Sequence, residues 1–384
     1  MDFESLFSQY QIDELSGRYI TLENIEPLLN RWNTDNQLSV IGYSVENRPI
    51  YKYVIGTGKN RMLLWSQMHG NESTTTKAVF DLLNLLHSKT EIGNKYLKNF
   101  TFCILPMVNP DGAKLYTREN AAKVDLNRDA NLLTQPESKA LLLAFDTFKP
   151  DYCYNLHDQR TIFGAGNSGK PATISFLAPS YNERREVNTN RARAIDVIVA
   201  MNETLQRYIP GQVGRFDDSF NINCIGDTFQ ALNTPTILFE AGHFQNDYNR
   251  EETRKFIFIA LLSGFNFINE NVVVSNSLND YLNIPQNMVN FYDFVYKNVK
   301  INYDSNKIIT NFAAQFKEEL IDNKIQFQAK IAQIDNLDHF FGHVEYDAKG
   351  ADFIGENDDF PELDQNANFN FNNNVKVVNG TVKN

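Results

Sequence analysis

The chain has no basic stripe, only three cysteines and no long apolar run, and each lack removes a class of function. Its 36 Lys and Arg against 47 Asp and Glu give a formal net charge of −11 over 384 residues. With no cationic surface to neutralise phosphates, nucleic acid is not an expected partner. No run approaches the roughly 18–20 apolar residues that span a bilayer, so a membrane partner is not expected either. Met1 leads into Asp-Phe-Glu-Ser, without a cationic start, an apolar core or a small-residue cleavage site. No signal peptide and a cytoplasmic location are therefore the expectation. Cys103, Cys153 and Cys224 are odd in number and two lie in strand-like runs. Reduced thiols account for them more simply than a disulfide or a thiolate metal site. No internal repeat is visible.

What is present is the text of a globular chain, 42% hydrophobic and 22% charged, long enough for one large domain and a smaller one. Helical periodicity marks 20–32, 73–87, 136–148, 182–208 and 251–269, and strand-like text marks 38–55, 62–68, 100–107, 151–156, 173–178 and 235–239. Strands alternating with helices over about 270 residues predict an α/β layer fold with a largely parallel or mixed sheet. Ligand sites in such sheets gather beyond the carboxyl ends of the strands. After residue 272 the pattern changes. A helical connector is expected over 273–299, with its clearest stretch at 282–296. A small antiparallel β module follows over 300–352, with Asp322-Asn323 as a hairpin turn. The acidic and then asparagine-rich tail, 353–384, is expected to be a poorly ordered tail or an extended strand addition.

The polar residues that interrupt this pattern lie at strand ends. Trp65-Ser-Gln-Met-His-Gly-Asn-Glu72 places His69 and Glu72 in a turn between a strand and a helix. Imidazole nitrogen and carboxylate oxygen are both zinc donors. His157, after the strand 151–156, is the candidate third ligand, and Asp158 beside it a carboxylate able to orient a neighbour. A catalytic zinc keeps one position open and needs a base nearby. Glu240, at the end of the strand 235–239, is that candidate, in apolar surroundings that raise a carboxyl pKa. His243 makes a second Glu-x-x-His pair, read as structural or substrate-side. Arg128 has a planar fork suited to a carboxylate and Asn127 adds amide donors. Arg118 is a candidate for stabilising an oxyanion. His339 and His343 are four apart in text that is not helical, and are not expected to bind metal.

Taken in order, His69-Gly-Asn-Glu72, Asn109-Pro-Asp-Gly112, Arg118-x-Asn120, Asp125-Leu-Asn-Arg128, Leu156-His157 and Phe239-Glu240 resemble the zinc carboxypeptidases of the M14, carboxypeptidase A-like, family. The resemblance runs over about 20–270. It implies an α/β/α sandwich with a mixed, largely parallel eight-stranded sheet, and a catalytic domain over 1–272. It further implies one zinc per chain held by His69, Glu72 and His157, and Glu240 as general base to a zinc-activated water. Arg118 would be the oxyanion stabiliser, and Asn127 and Arg128 would grip the free C-terminal carboxylate of a peptide or peptide-like substrate. The chain departs from the digestive members in two ways. Asn71 stands where they carry arginine, and 211–235 holds Phe216, Phe220 and Phe229 but no tyrosine. The residue that sets side-chain preference falls near 225–227, which leaves specificity open. No N-terminal pro-segment is visible. An alternative, an N-acyl amino acid deacylase of the aspartoacylase and succinylglutamate desuccinylase type, shares His-Gly-Asn-Glu and Asp-Leu-Asn-Arg. Asn109-Pro-Asp-Gly112 and Arg118-x-Asn120 favour the peptidase.

Overall fold

The computed structural model describes residues 2–270, 275, 277–303, 306–355, 360–372 and 374–383. The chain divides into two units, Met1–Gln159 with Ala172–Asn287, and Arg160–Pro171 with Met288–Asn384. The first nine strands are β1 (Leu38–Tyr43), β2 (Pro49–Gly56), β3 (Asn60–Ser66), β4 (Phe100–Leu105), β5 (Tyr152–Asp158), β6 (Phe163–Ala165), β7 (Ile174–Leu177), β8 (Val213–Arg215) and β9 (Thr236–Ala241). All but β6 form one eight-stranded sheet in the order β1-β2-β4-β3-β5-β9-β7-β8. Its centre, β4-β3-β5-β9, is parallel, while β1-β2, β2-β4 and β9-β7 are antiparallel. The expected mixed, largely parallel sheet is therefore observed.

Burial on both faces explains why the central strands read as continuous apolar text. Met62, Leu64, Tyr154, Leu156, Ile237 and Phe239 pack under the helices Thr74–His87, Thr189–Leu205 and Glu251–Glu270. Leu63, Trp65, Cys103 and Cys153 face the other way, with the helices Pro136–Phe148 and Ile225–Ala231. The three cysteines are free, and Cys103 and Cys153 flank Leu63 on its two neighbouring strands. Among the described residues no helix is long and apolar enough to cross a membrane.

The amphipathic helices around the sheet are joined by buried charge. Arg254 is fully buried and donates to both oxygens of the fully buried Asp81, at 2.6 and 2.5 Å, and to the carbonyls of Leu15 and Ile12, at 2.6 and 3.0 Å. Asp81 also accepts Ile12 N at 2.8 Å. This pair pins the N-terminal segment to two helices that are far apart in sequence.

The second unit contains β10 (Asn287–Val289, whose first residue belongs to the first unit), β11 (Phe291–Tyr303), β12 (Asn306–Ile321), β13 (Lys324–Asp335) and β14 (Phe341–Asp347). The four from β11 to β14 form a sheet in the order β13-β12-β11-β14. The turn between β12 and β13 is Asp322-Asn323, with φ of 51° and 58°, as a two-residue hairpin loop requires. The helix expected over 282–296 is not formed. The helix Leu278–Asn283 stops ahead of Pro285, whose ring cannot continue it, and β11 follows. The expected boundary at 272/273 lies outside the described residues. The asparagine-rich tail is also more ordered than its composition suggests. It carries β15 (Phe353–Ile354), β16 (Phe369–Phe371), β17 (Val375–Val378) and β18 (Thr381–Lys383). Within Asn368-Phe-Asn-Phe-Asn372, Phe369 and Phe371 are buried with Tyr296 and Phe312. The alternation of a half-buried strand is hidden there beneath a low-complexity composition.

Replacing Arg254 with methionine leaves Asp81 buried without its counter-charge. The expected loss is about 3–5 kcal/mol of stability, the usual cost of removing one member of a buried ion pair, measurable by urea unfolding.

Candidate metal centre

β3 ends at Ser66, and the chain turns at Gln67, whose φ of 48° is left-handed. The Gln67 amide donates to Ile20 O at 2.7 Å and Gly70 O at 2.9 Å, which fixes the turn carrying His69 and Glu72. At Gly70 there is no room for a side chain. A Cβ would lie 1.9 Å from the carbonyl carbon of Gly112 and 2.1 Å from Ala113 N. The His69-Gly-Asn-Glu72 and Asn109-Pro-Asp-Gly112 motifs thus interlock backbone against backbone.

His157 and Glu240 lie inside their strands rather than beyond them, because the parallel ladder runs two residues past the apolar text. It pairs His157 with Glu240 and Asp158 with Ala241. His69 and His157 face each other with their Nδ1 atoms 3.1 Å apart. Glu72 reaches both, with Oε1 at 2.8 Å from His69 Nδ1 and Oε2 at 2.9 Å from His157 Nδ1. Two ring nitrogens and a carboxylate, all buried, thereby turn acceptor atoms toward one point, with one ligand atom from each residue lying within 4.8 Å of the others. Donors on a tetrahedron with bonds of about 2.1 Å are separated by about 3.4 Å, so small adjustments fit this set to zinc. Among the described residues this is the group of His, Cys, Asp and Glu arranged to hold a metal ion. His339 is exposed, and His343 Nε2 lies 2.7 Å from Thr161 O, so that pair makes no site.

Neighbouring carboxylates orient these donors. Asp125 Oδ1 lies 3.0 Å from His69 Nε2 and also accepts Asn127 N at 2.9 Å. Its Oδ2 accepts Nε and Nη2 of Arg118, at 3.1 and 3.0 Å. Arg118 Nη1 in turn lies 3.4 Å from Glu72 Oε1. Asp125 therefore connects a metal-facing histidine to an arginine and to the backbone of the Asn127-Arg128 turn. Sequence reading quoted Asp125 only as part of a motif. Its signal was a carboxylate directly before the Leu-Asn-Arg run.

Asp158 does not orient a histidine. Its carboxylate accepts Thr74 N at 2.9 Å and Thr75 N at 3.3 Å, capping the helix that follows Glu72, and its own N–H donates to Glu72 Oε2 at 3.1 Å. Other motif residues are structural too. Buried Asp111 accepts Ser44 Oγ, Glu46 N and Arg48 Nη1 at 2.7, 2.9 and 2.6 Å. Asn120 closes its own turn through Ala122 N and Val124 N, both at 3.1 Å. His243 packs its ring on Tyr248, 4.6 Å between centroids.

Glu240 is half-buried and its Oε2 is buried without a hydrogen-bond partner among the described residues. Burial, followed by the carboxylates of Glu72 and Asp158, pushes its pKa well above the usual range. Asn127 and Arg128 occupy the short 3-10 helix Leu126–Arg128. Asn127 Oδ1 accepts Ile225 N at 3.1 Å, and the exposed Arg128 donates through Nη1 to Asn127 O at 2.8 Å and to Cys224 Sγ at 3.1 Å.

Comparison with known proteins gives a family match over part of the chain and a likeness of fold. Residues 14–162 match the zinc carboxypeptidase family, Peptidase_M14. The matched span contains His69, Glu72, His157, Arg118, Asn127 and Arg128, and ends before Glu240. Carboxypeptidase SOL1 of Arabidopsis thaliana is 27% identical over 152 residues, which is 34% of this chain. The aligned region spans 31% of that relative's length. Carboxypeptidase A from Helicoverpa armigera superposes with a TM-score of 0.52 at 17% identity, covering 70% of this chain and 80% of its own. A metallo-carboxypeptidase from Burkholderia cenocepacia superposes with a TM-score of 0.51 at 17% identity, covering 64% and 69%. The zinc carboxypeptidase fold therefore extends beyond the matched sequence.

Replacing Asp125 with alanine removes the partner of His69 Nε2 while leaving the three donors in place. Zinc affinity should fall about 10- to 100-fold, measured by chelator competition, whereas His69→Ala should abolish stoichiometric binding.

Proposed function

We propose that the protein is a zinc-dependent carboxypeptidase that hydrolyses the C-terminal amide bond of a peptide or peptide-like substrate with a free carboxylate. The observation that carries this reading is the pairing of His157 with Glu240 at the carboxyl ends of β5 and β9, beside His69 and Glu72. It brings a proton-accepting carboxylate next to a donor set suited to zinc.

His69, Glu72 and His157 would hold one zinc. That ion would supply Lewis acidity and a lowered pKa for water in the open position. Glu240 is the general base. With an oxygen that no group among the described residues engages, it takes a proton from the attacking water as the C–O bond forms and returns it to the leaving amine as the C–N bond breaks. Its upward pKa shift, caused first by burial, favours holding that proton between the two steps. Arg118, beside Glu72, supports the developing negative charge on the scissile carbonyl oxygen. Asn127 and Arg128 receive the substrate's carboxylate, with Arg128 supplying the charge and Asn127 fixing the turn through Ile225 N.

Zinc-loaded wild type should release C-terminal residues from a mixed peptide library, read by mass spectrometry, and should spare peptides amidated at the C-terminus. Glu240→Gln should keep one zinc yet be slower by about 10² or more. Failure of the wild type to trim any peptide would overturn the proposal. Removing the Arg128 guanidinium should act on binding. Arg128→Ala is expected to raise KM about 10- to 100-fold, the scale of ~1.5–3 kcal/mol for a charge-assisted hydrogen bond, with a smaller effect on kcat.

A further inference from the structure

We propose that Gln159 is a positioning residue for Glu240, acting through an amide relay that crosses the sheet over two glycines. This inference rests on the reading of Glu240 as the base.

The relay begins at the end of β5. Gln159 N donates to Ala241 O at 2.9 Å, extending the ladder that pairs His157 with Glu240. Alternation along the strand sets the Gln159 side chain on the face that carries His157. From there it reaches over β9 toward β7. Gln159 Nε2 donates to Ala172 O at 2.5 Å and to Ser175 Oγ at 3.1 Å. Ser175 is the register partner of Glu240 across the β7–β9 pair. Glu240 therefore stands between His157 on one strand and Ser175 on the other, with the Gln159 amide spanning the gap next to it.

Two glycines open that path. At Gly242, two residues beyond Glu240 on the same face, a Cβ would lie 2.5 Å from Gln159 Nε2 and 2.1 Å from Ala172 O. At Gly214 on β8, opposite Ser175, a Cβ would lie 1.8 Å from Asn287 Oδ1. Asn287 uses that space to continue the relay. Its Nδ2 donates to Gln159 Oε1 at 2.9 Å and lies 3.0 Å from Ser175 Oγ. The ends of β5 and β9 are closed from the backbone side as well. The buried guanidinium of Arg250 donates through Nη2 to Gln159 O at 2.7 Å and through Nη1 to Ala241 O.

The consequence is mechanical. Glu240 Oε2 has no hydrogen-bond partner among the described residues, so none of them fixes that oxygen. Its position is set by the backbone of 240–242, whose carbonyl at Ala241 is held by Gln159 N and Arg250, while the side-chain relay ties the strands on either side, β5 and β7, to each other over Gly242. A base left free at its tip for proton transfer needs such support at its root. The polar groups of the relay are occupied with one another and with backbone carbonyls, which suits a scaffold and not a substrate contact.

The test uses full-length, zinc-loaded protein and a peptide with a free C-terminus. Gln159→Ala should lower kcat about 10- to 100-fold, the usual effect of removing a supporting hydrogen-bond partner, with KM within about threefold and one zinc retained. Backbone amides of 240–242 should exchange hydrogen faster in the variant. Asn287→Ala, which removes the partner of Gln159 Oε1, should reproduce part of the kcat loss, and Gln159→Ala/Asn287→Ala should be no worse than the more impaired single variant. Wild-type trimming with an unchanged kcat in Gln159→Ala would overturn the relay alone. So would loss of zinc, or equal losses in kcat, in KM-dependent binding and in thermal stability, which would make Gln159 an ordinary scaffold residue. A wild type that trims no peptide would instead remove the reading of Glu240 on which the relay rests.

Discussion

The structure depends on one constraint, the parallel register of β3, β5 and β9. Parallel strands all present their carboxyl ends on one edge, and the residues there are brought together whatever their distance in sequence. Ser66 lies opposite Leu156 and His157 opposite Glu240, so the turn after β3 drops His69 and Glu72 beside a histidine and a glutamate from two other strands. A shift of one residue between β5 and β9 would turn either His157 or Glu240 to the opposite face of the sheet. Apolar residues on both faces prevent that slip. Tyr154 and Leu156 must face one helical layer and Cys153 the other.

Assembling these residues concentrates charge where water is scarce. Glu72, Asp158 and Glu240 crowd one strand edge, and the fold answers each carboxylate differently. Glu72 is satisfied by two imidazoles and by Asp158 N. Asp158 is satisfied by the N–H groups of a helix start, where the helix dipole also favours negative charge, although burial still raises its pKa. Burial, then the carboxylates of Glu72 and Asp158, raises Glu240 further, and one of its oxygens has no such answer among the described residues. That open oxygen is what sets Glu240 apart from its two neighbours. The Asp81–Arg254 pair shows the same rule away from the site. That buried carboxylate is matched by a fork of donors and serves as a clamp between helices.

How much of this was legible in the sequence follows from how local each signal is. The helices 136–148 and 251–269 and the central strands were readable because periodicity and apolar runs are local. His69, Glu72, His157 and Glu240 were readable because each interrupts an apolar run at a strand end. The helix expected over 282–296 failed because its apolar residues fit two periods, and Pro285 and the pairing of β11 with β12 and β14 decided for strand. The tail left two readings open, disorder or an added strand, because asparagine dominates its composition while Phe369 and Phe371 supply its burial, and strands are what form. Asp125 and Gly70 act through His69 and Gly112, 56 and 42 residues away in sequence, and Gln159 acts across neighbouring strands through Ser175, and no local pattern announces such a contact.

The departure at Asn71 bears on how the proposed substrate is held. Where the family resemblance leads one to expect an arginine, this chain has Asn71, whose Oδ1 is buried without a hydrogen-bond partner among the described residues. Arg118 spends two donors on Asp125, so part of its charge is offset before any substrate arrives. Arg128, by contrast, is exposed, and it donates to a carbonyl oxygen and a thiol, neither carrying a formal negative charge. An anionic terminus of the proposed substrate would therefore meet an exposed guanidinium at Arg128. On a chain of net charge −11, that local contrast, and not the field of the whole molecule, has to draw the carboxylate in. A substrate that lacks the terminal carboxylate would lose its main electrostatic anchor, while the atoms around its scissile bond would meet the same donors and the same base.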